Sequence, residues 1–169
     1  SGHSLIARAR TVERRPKPSN AVQADLDPAL GLGTQNVIDA CDPGTAVVIA
    51  SNGDSSTAMW GGNMGLRARA CGVVGFVTDG AFRDSDEMEE LGMTVFARTV
   101  VPRQAAGRMV TVAINQPIIC GGIRICPDDI LVGDADGVTV VPAAEAEAVA
   151  AKAHELEGLE KQMAAYLEK

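Results

Sequence analysis

The sequence predicts an α/β domain with a mixed sheet and a long C-terminal helix. Two short apolar runs, AVVIASN (46–52) and VVGFVT (73–78), read as strands buried on both faces. A helical stretch lies between them, and a series of β-rich segments follows. Residues 143–168 then carry Val149, Leu156, Leu159, Met163 and Leu167 at helical spacing. Helices between and after strands indicate layers. The 169 residues, 46% hydrophobic and 22% charged, suit one domain spanning 1–169 with a core of its own.

Taken in order, SLIARARTVERR (4–15) mixes alternation with β-branched residues and reads as a strand. Its basic cluster, Arg8, Arg10, Arg14, Arg15 and Lys17, reads as solvated edge-strand charge. Residues 16–35 hold three prolines and read as a loop with short turns. NVIDACDPGT is a short helical or irregular segment ended by Pro43-Gly44. After the 46–52 strand comes a turn at Asn52-Gly53-Asp54. Ser55 or Ser56 is a candidate helix N-cap, with the best helical stretch at 63–71, ended by Gly72. SDEMEELG (85–92) is a short acidic helix. TVFART (94–99) and RMVTVAI (108–114) read as strands. Pro127 makes 121–129 an edge or a turn. ILVGDADGVTVVP (130–142) is a hairpin turning at Asp136-Gly137. The apolar stripe of 143–168 is expected to pack on the domain or on a neighbouring subunit.

A net charge of −7 and a pI of about 4.8 argue against nucleic acid as a primary partner. No run of about 18 apolar residues exists, so no membrane span is expected. No basic-then-apolar leader is visible either, and the cytoplasm is the expected compartment. The four cysteines, at 41, 71, 120 and 126, form no Cys-x-x-Cys pair and read as free thiols. With only His3 and His154, a zinc site or a Ser-His-Asp triad is hard to build. Any chemistry must run on carboxylates, arginine, backbone amides or a hard cation.

Three stretches could carry it. WGGNMG (60–65) puts glycines before a helix, where amides could meet an anion, or could simply make a tight helix entry. TDGAFRDSDEME (78–89) sets one arginine among five carboxylates after a buried strand. Arg83 could hold a carboxylate or an enolate oxygen, and Asp84 could ligate Mg²⁺. Alternatively Asp84 or Ser85 caps the helix, and Asp86 and Glu87 favour its dipole. GDADG (133–137) lacks the glutamate that closes a calcium loop and reads as a hairpin turn.

Taken together, MWGGNMG…ACGVVGFVTDGAFRDSDEME resembles the family that joins the regulator of ribonuclease activity A (RraA) to the class II 4-hydroxy-4-methyl-2-oxoglutarate, or 4-carboxy-4-hydroxy-2-oxoadipate, aldolases. The family motif is a glycine loop and then, about twenty residues on, Arg-Asp-x-x-Glu/Asp. Gly61 and Gly62 precede Arg83-Asp84-Ser85-Asp86-Glu87 by that spacing. The segments near the start (ARARTV) and the end (PDDILVGDADGVTVVP) are also similar to the family.

The resemblance implies a compact α/β sandwich of swivelling-domain type, assembled as homotrimers or hexamers with sites between subunits. It implies that the amides of Gly61, Gly62, Asn63 and Met64 bind the carboxylate of a pyruvate-like ligand. It puts Arg83 on the keto or enolate oxygen and Asp84 on Mg²⁺ or Mn²⁺. Glu160 of a neighbouring subunit, or Glu157 next, would reach the metal through water. The implied activity is a metal-dependent lyase that cleaves a 4-hydroxy-2-oxo acid to pyruvate and a second oxo acid, with oxaloacetate decarboxylation as a side activity. The other branch implies a non-enzymatic, protein-binding regulator of ribonuclease activity. The chain departs from the aldolase pattern at Gly62, where those enzymes usually carry an acidic residue. It also begins almost at the first strand, so the family's preceding helical segment is expected to be missing.

Overall fold

The computed structural model describes residues 4–18 and 34–168. Most of the loop expected at 16–35 lies outside the described residues. Eleven strands and four α-helices are described. The strands are β1 (Leu5–Pro16), β2 (Thr45–Ala50), β3 (Gly75–Thr78), β4 (Ala81–Phe82), β5 (Thr94–Phe96), β6 (Thr99–Val100), β7 (Met109–Ile114), β8 (Ile118–Cys120), β9 (Ile123–Ile125), β10 (Ile130–Asp134) and β11 (Gly137–Val141). The helices are α1 (Thr34–Asp39), α2 (Gly62–Ala70), α3 (Ser85–Glu90) and α4 (Ala146–Leu167). The α/β class, the mixed sheet and the long C-terminal helix are as the sequence predicts.

The main sheet runs β11-β10-β1-β2-β3-β5, and β7 also pairs with β1. β1 is central. Along one side it pairs in parallel with β2. Along the other it pairs antiparallel first with β10, through Leu5–Arg8, and then with β7, through Val12–Pro16. The reading of β1 as an edge strand is therefore corrected, and its arginines do not all face water: burial pushes the Arg14 guanidinium below its ordinary pKa. The register shifts between Glu13 and Arg14, a bulge that re-aims the side chains beyond it.

Alternation along β2 divides the core between the two faces of the sheet. Val47, Ile49 and Phe76 face a cluster with Val37 and Ile38 of α1, Ala68 of α2 and Met88 of α3. Ala46, Val48, Ala50 and Val77 face a second cluster with Ile118, Cys120, Ile125 and Leu131. Helices therefore cover one face, and the β8–β9 hairpin covers the other. Each fully buried Val, Ile or Phe contributes about 1.5–3 kcal/mol.

Four local expectations differ. Neither Ser55 nor Ser56 caps a helix, because 55–60 leads into an extended path and α2 starts at Gly62 after Gly61. The predicted 94–99 strand is two strands in different sheets, since the Arg98 N–H turns aside to donate to Gly80 O at 2.9 Å. The 130–142 hairpin turns on Ala135-Asp136, with Asp134 opposite Gly137. Of the two packings expected for the stripe on α4, the one on the domain is not made: no residue of that helix is buried, and Leu159 is 52% exposed.

Candidate active site

The site forms where two crossover connections meet, beyond the carboxyl ends of β2 and β3, the position in which open α/β sheets place ligands. Residues 58–60 run parallel to 81–83. Ala58 bridges to Ala81, Met59 N–H donates to Ala81 O at 2.8 Å, and Arg83 N–H donates to Trp60 O at 3.0 Å. Ala58 bridges on its other side to Gln104. Trp60, 1% exposed, stacks on Phe76 with ring centroids 4.6 Å apart. Such a pair anchors its segment by area and by ring contact. The glycine loop is thus clamped against Arg83-Asp84 by backbone pairing and one buried aromatic.

Asp84 adopts the left-handed conformation at φ 59°, which is uncommon for a residue with a Cβ. It precedes α3 but makes no side-chain cap. Its carboxylate reaches across instead: Gly62 N–H donates to Asp84 Oδ2 at 2.8 Å, and Arg83 Nε stands 3.6 Å from the same oxygen. A backbone strained at such a point is characteristic of functional sites.

The glycines are a steric requirement. A Cβ on Gly61 would lie 2.8 Å from both Arg83 Nε and Asp84 Oδ2. A Cβ on Gly62 would collide with the carboxylate of Glu87. At the position where aldolases of the resembled family carry an acid on the loop, this chain brings a carboxylate from α3. At the start of α2, Asp84 takes the Gly62 amide, and the Met64 amide donates to Gly61 O at 3.0 Å. Asn63 and Met64 line the adjoining cleft with Gly61 and Arg83.

That cleft encloses about 300 Å³ and is also lined by Arg14 and Trp60. Arg14 Nε and Trp60 Nε1 are buried without a hydrogen-bond partner. A larger cavity of about 760 Å³ lies elsewhere, against Glu13, Arg15, Asp79 and Arg124. Size does not make it the site, because its buried carboxylate is committed. Asp79 accepts from Ser51 N at 2.7 Å, Ser51 Oγ at 3.0 Å, Gly53 N at 3.1 Å and Gly121 N at 3.4 Å.

No group of three potential metal-ligating side chains exists among the described residues. Asp84 and Glu87 both abut Gly62. Glu157 and Glu160 stand on exposed α4, where Glu157 pairs with Lys161 at 2.8 Å. The sequence reads Arg14 as solvated edge-strand charge and Glu87 as helix support, and neither as part of a site. The bulge after Glu13 and the contact of Glu87 with Gly62 are tertiary facts. The only local signal was a glycine where an acid was expected.

Fold and cluster define a mixed α/β domain that brings together a glycine loop, one arginine and two carboxylates. The RraA-like family profile, described as Aldolase/RraA, matches residues 2–140, and the chain belongs to that family. It is 42% identical over 112 residues to a Halalkalibacterium halodurans protein named "Putative 4-hydroxy-4-methyl-2-oxoglutarate aldolase", a match covering 66% of this chain and 52% of that protein. The chain thus spans about half the length of that curated relative. Among solved structures it is similar to an unusual member of the RNase ES inhibitor RraA protein family from Streptomyces coelicolor, with a TM-score of 0.84 and 25% identity over 96% of this chain and 77% of that one. It is also similar to the RNA-processing inhibitor RraA from Thermus thermophilis, with a TM-score of 0.65 and 25% identity over 83% of this chain and 77% of that one.

Proposed function

We propose that the chain is a divalent-metal-dependent lyase that cleaves a 4-hydroxy-2-oxo acid to pyruvate and a second oxo acid, with oxaloacetate decarboxylation as a side activity. The observation that carries this reading is the convergence of Asp84 and Glu87 on Gly62, with Arg83 beside them. A hard cation such as Mg²⁺ or Mn²⁺ is held by one or two carboxylates and keeps several waters, so Asp84 could hold it while Glu87 stays free as a base. When bound, the metal would polarise the 2-keto group and offset the charge of the forming enolate.

The chain's own residues do the rest. Arg83 binds the keto oxygen through its guanidinium, and that contact strengthens as the oxygen becomes an enolate. The Gly61 and Asn63 amides orient the C1 carboxylate, since Asp84 and the Gly61 carbonyl take those of Gly62 and Met64. The Glu87 carboxylate takes the proton of the 4-hydroxyl. As that oxygen becomes a carbonyl, the C3–C4 bond breaks and its electron pair moves into the pyruvate enolate. Protonation at C3 then completes pyruvate. Oxaloacetate reaches the same enolate by losing carbon dioxide from C4. The exposed apolar stripe of α4 suits a homotrimer or hexamer in which a neighbour's Glu160 joins the site.

The test is a coupled assay for pyruvate with Mg²⁺, before and after chelation. Turnover that is lost on chelation, and lost in Arg83→Ala, is the expected result. The reading falls if neither 4-hydroxy-2-oxo acids nor oxaloacetate are turned over. A binding-only regulator of ribonuclease activity draws its support from the missing acid at Gly62 and from the family's mixed membership, and the place of Glu87 weakens the first of these.

A further inference from the structure

We propose that Arg14 determines specificity by receiving a second carboxylate of the substrate in the cleft it shares with Arg83. This inference rests on the lyase reading for the identity of the other end of the ligand. Among the described residues, Arg14 and Arg83 are the charged ones that line the cleft. In a chain of net charge −7, that is a local inversion of sign.

The arginines of β1 show why Arg14 stands apart. Arg10 pairs with Asp42 at 2.7 Å, and Arg15 pairs with Glu13 at 2.7 Å. Arg14 makes no ion pair among the described residues; its Nε is buried with no acceptor, as is that of Arg10, whose guanidinium is nevertheless paired through Nη2. A guanidinium does not give up its proton to escape burial, so an unpaired one is costly unless an anion arrives. Burial already works against the charged form of Arg14. The indole Nε1 of Trp60, a residue that also lines the cleft, is likewise buried without a partner. A space of about 300 Å³ is at the lower end of small-ligand sites. A five-carbon dicarboxylate would place its oxo-acid end on Arg83 and the loop, and its distal carboxylate on the fork of Arg14.

The test is a calorimetric titration of the full chain, with Mg²⁺ present, using two ligands that lack a 4-hydroxyl. 2-Oxoglutarate has two carboxylates and 2-oxobutyrate has one. The parent is expected to bind 2-oxoglutarate roughly tenfold more tightly or better, the scale of one charge-assisted pair. Arg14→Gln should erase that preference and leave 2-oxobutyrate affinity unchanged. Arg14→Lys should keep part of it, because a point charge lacks the planar fork. The inference is overturned if the parent shows no preference, if Arg14→Gln retains it, or if both ligands weaken equally. An Arg14-dependent preference in a protein that releases no pyruvate would overturn the lyase reading and uphold the role of Arg14.

Discussion

Glu87 and Gly62 compete for one volume: the Glu87 carboxylate sits where any side chain at position 62 would begin. Glu87 is exposed and its end is flexible, so it can be pushed aside at little cost. Gly62→Ala should therefore change stability by less than about 1 kcal/mol, helped by the better helix propensity of alanine. Pyruvate release should nevertheless fall about a hundredfold, as in Glu87→Gln. The double variant Gly62→Asp with Glu87→Ala returns a carboxylate from the opposite side and should recover part of the rate. Steady-state assays paired with urea denaturation check all four proteins.

Asp84 separates activity from backbone strain. Its φ of 59° favours glycine, and its carboxylate holds the Gly62 amide at 2.8 Å. Asp84→Gly and Asp84→Ala both remove the carboxylate and should both lose at least about a hundredfold in turnover. Alanine also bears the left-handed penalty, so Asp84→Ala should be less stable than Asp84→Gly by about 1 kcal/mol. Equal stability of the two would mean that the strain at Asp84 is not stored in the backbone.

Asp79 lies in the same turn of chain but has a structural role. It ties the end of β2, the following turn and the β8–β9 hairpin through four hydrogen bonds. Asp79→Ala strands buried donors and should cost about 2–4 kcal/mol, with a clear fall in Tm. Asp79→Asn keeps one acceptor oxygen and should cost less. Calorimetry of the purified variants provides the comparison.

Cys120 gives a pH dependence with a definite sign. Burial pushes its thiol up to about 12, from an ordinary value of 9.0. Between those values the unfolded chain loses the proton and the folded chain keeps it, so stability falls as pH rises from about 9 to 12, at no more than about 1.4 kcal/mol per pH unit from this group. Cys120→Ala should flatten that fall, measured by denaturant titration across the alkaline range. Burial also raises Cys41, so a remaining slope is expected.

The elements legible in the sequence were those whose periodicity reports their own environment. Runs such as AVVIA (46–50) are apolar at every position because both faces of the sheet are covered, and they were read correctly. β8 is three residues long and gave no such run. The cap expected at Ser55 or Ser56 failed because 58–60 is held between Ala81 and Gln104, a long-range pairing that local propensity does not register. At the site, the spacing from Gly61-Gly62 to Arg83-Asp84 pointed to residues that the structure brings together. Arg14 and Glu87 escaped because their meaning depends on what faces them across the loop, not on their neighbours in the chain.

The central position of β1 sets the order in which the protein can assemble. Leu5 lies opposite Gly133 and Val12 opposite Ile114, so β1 finds partners on one of its sides only after residues 109–134 exist. Closing contacts at such sequence separation is slow, and β1 has an unpaired side until it happens. During synthesis that side is open to misassociation until residues 109–134 emerge.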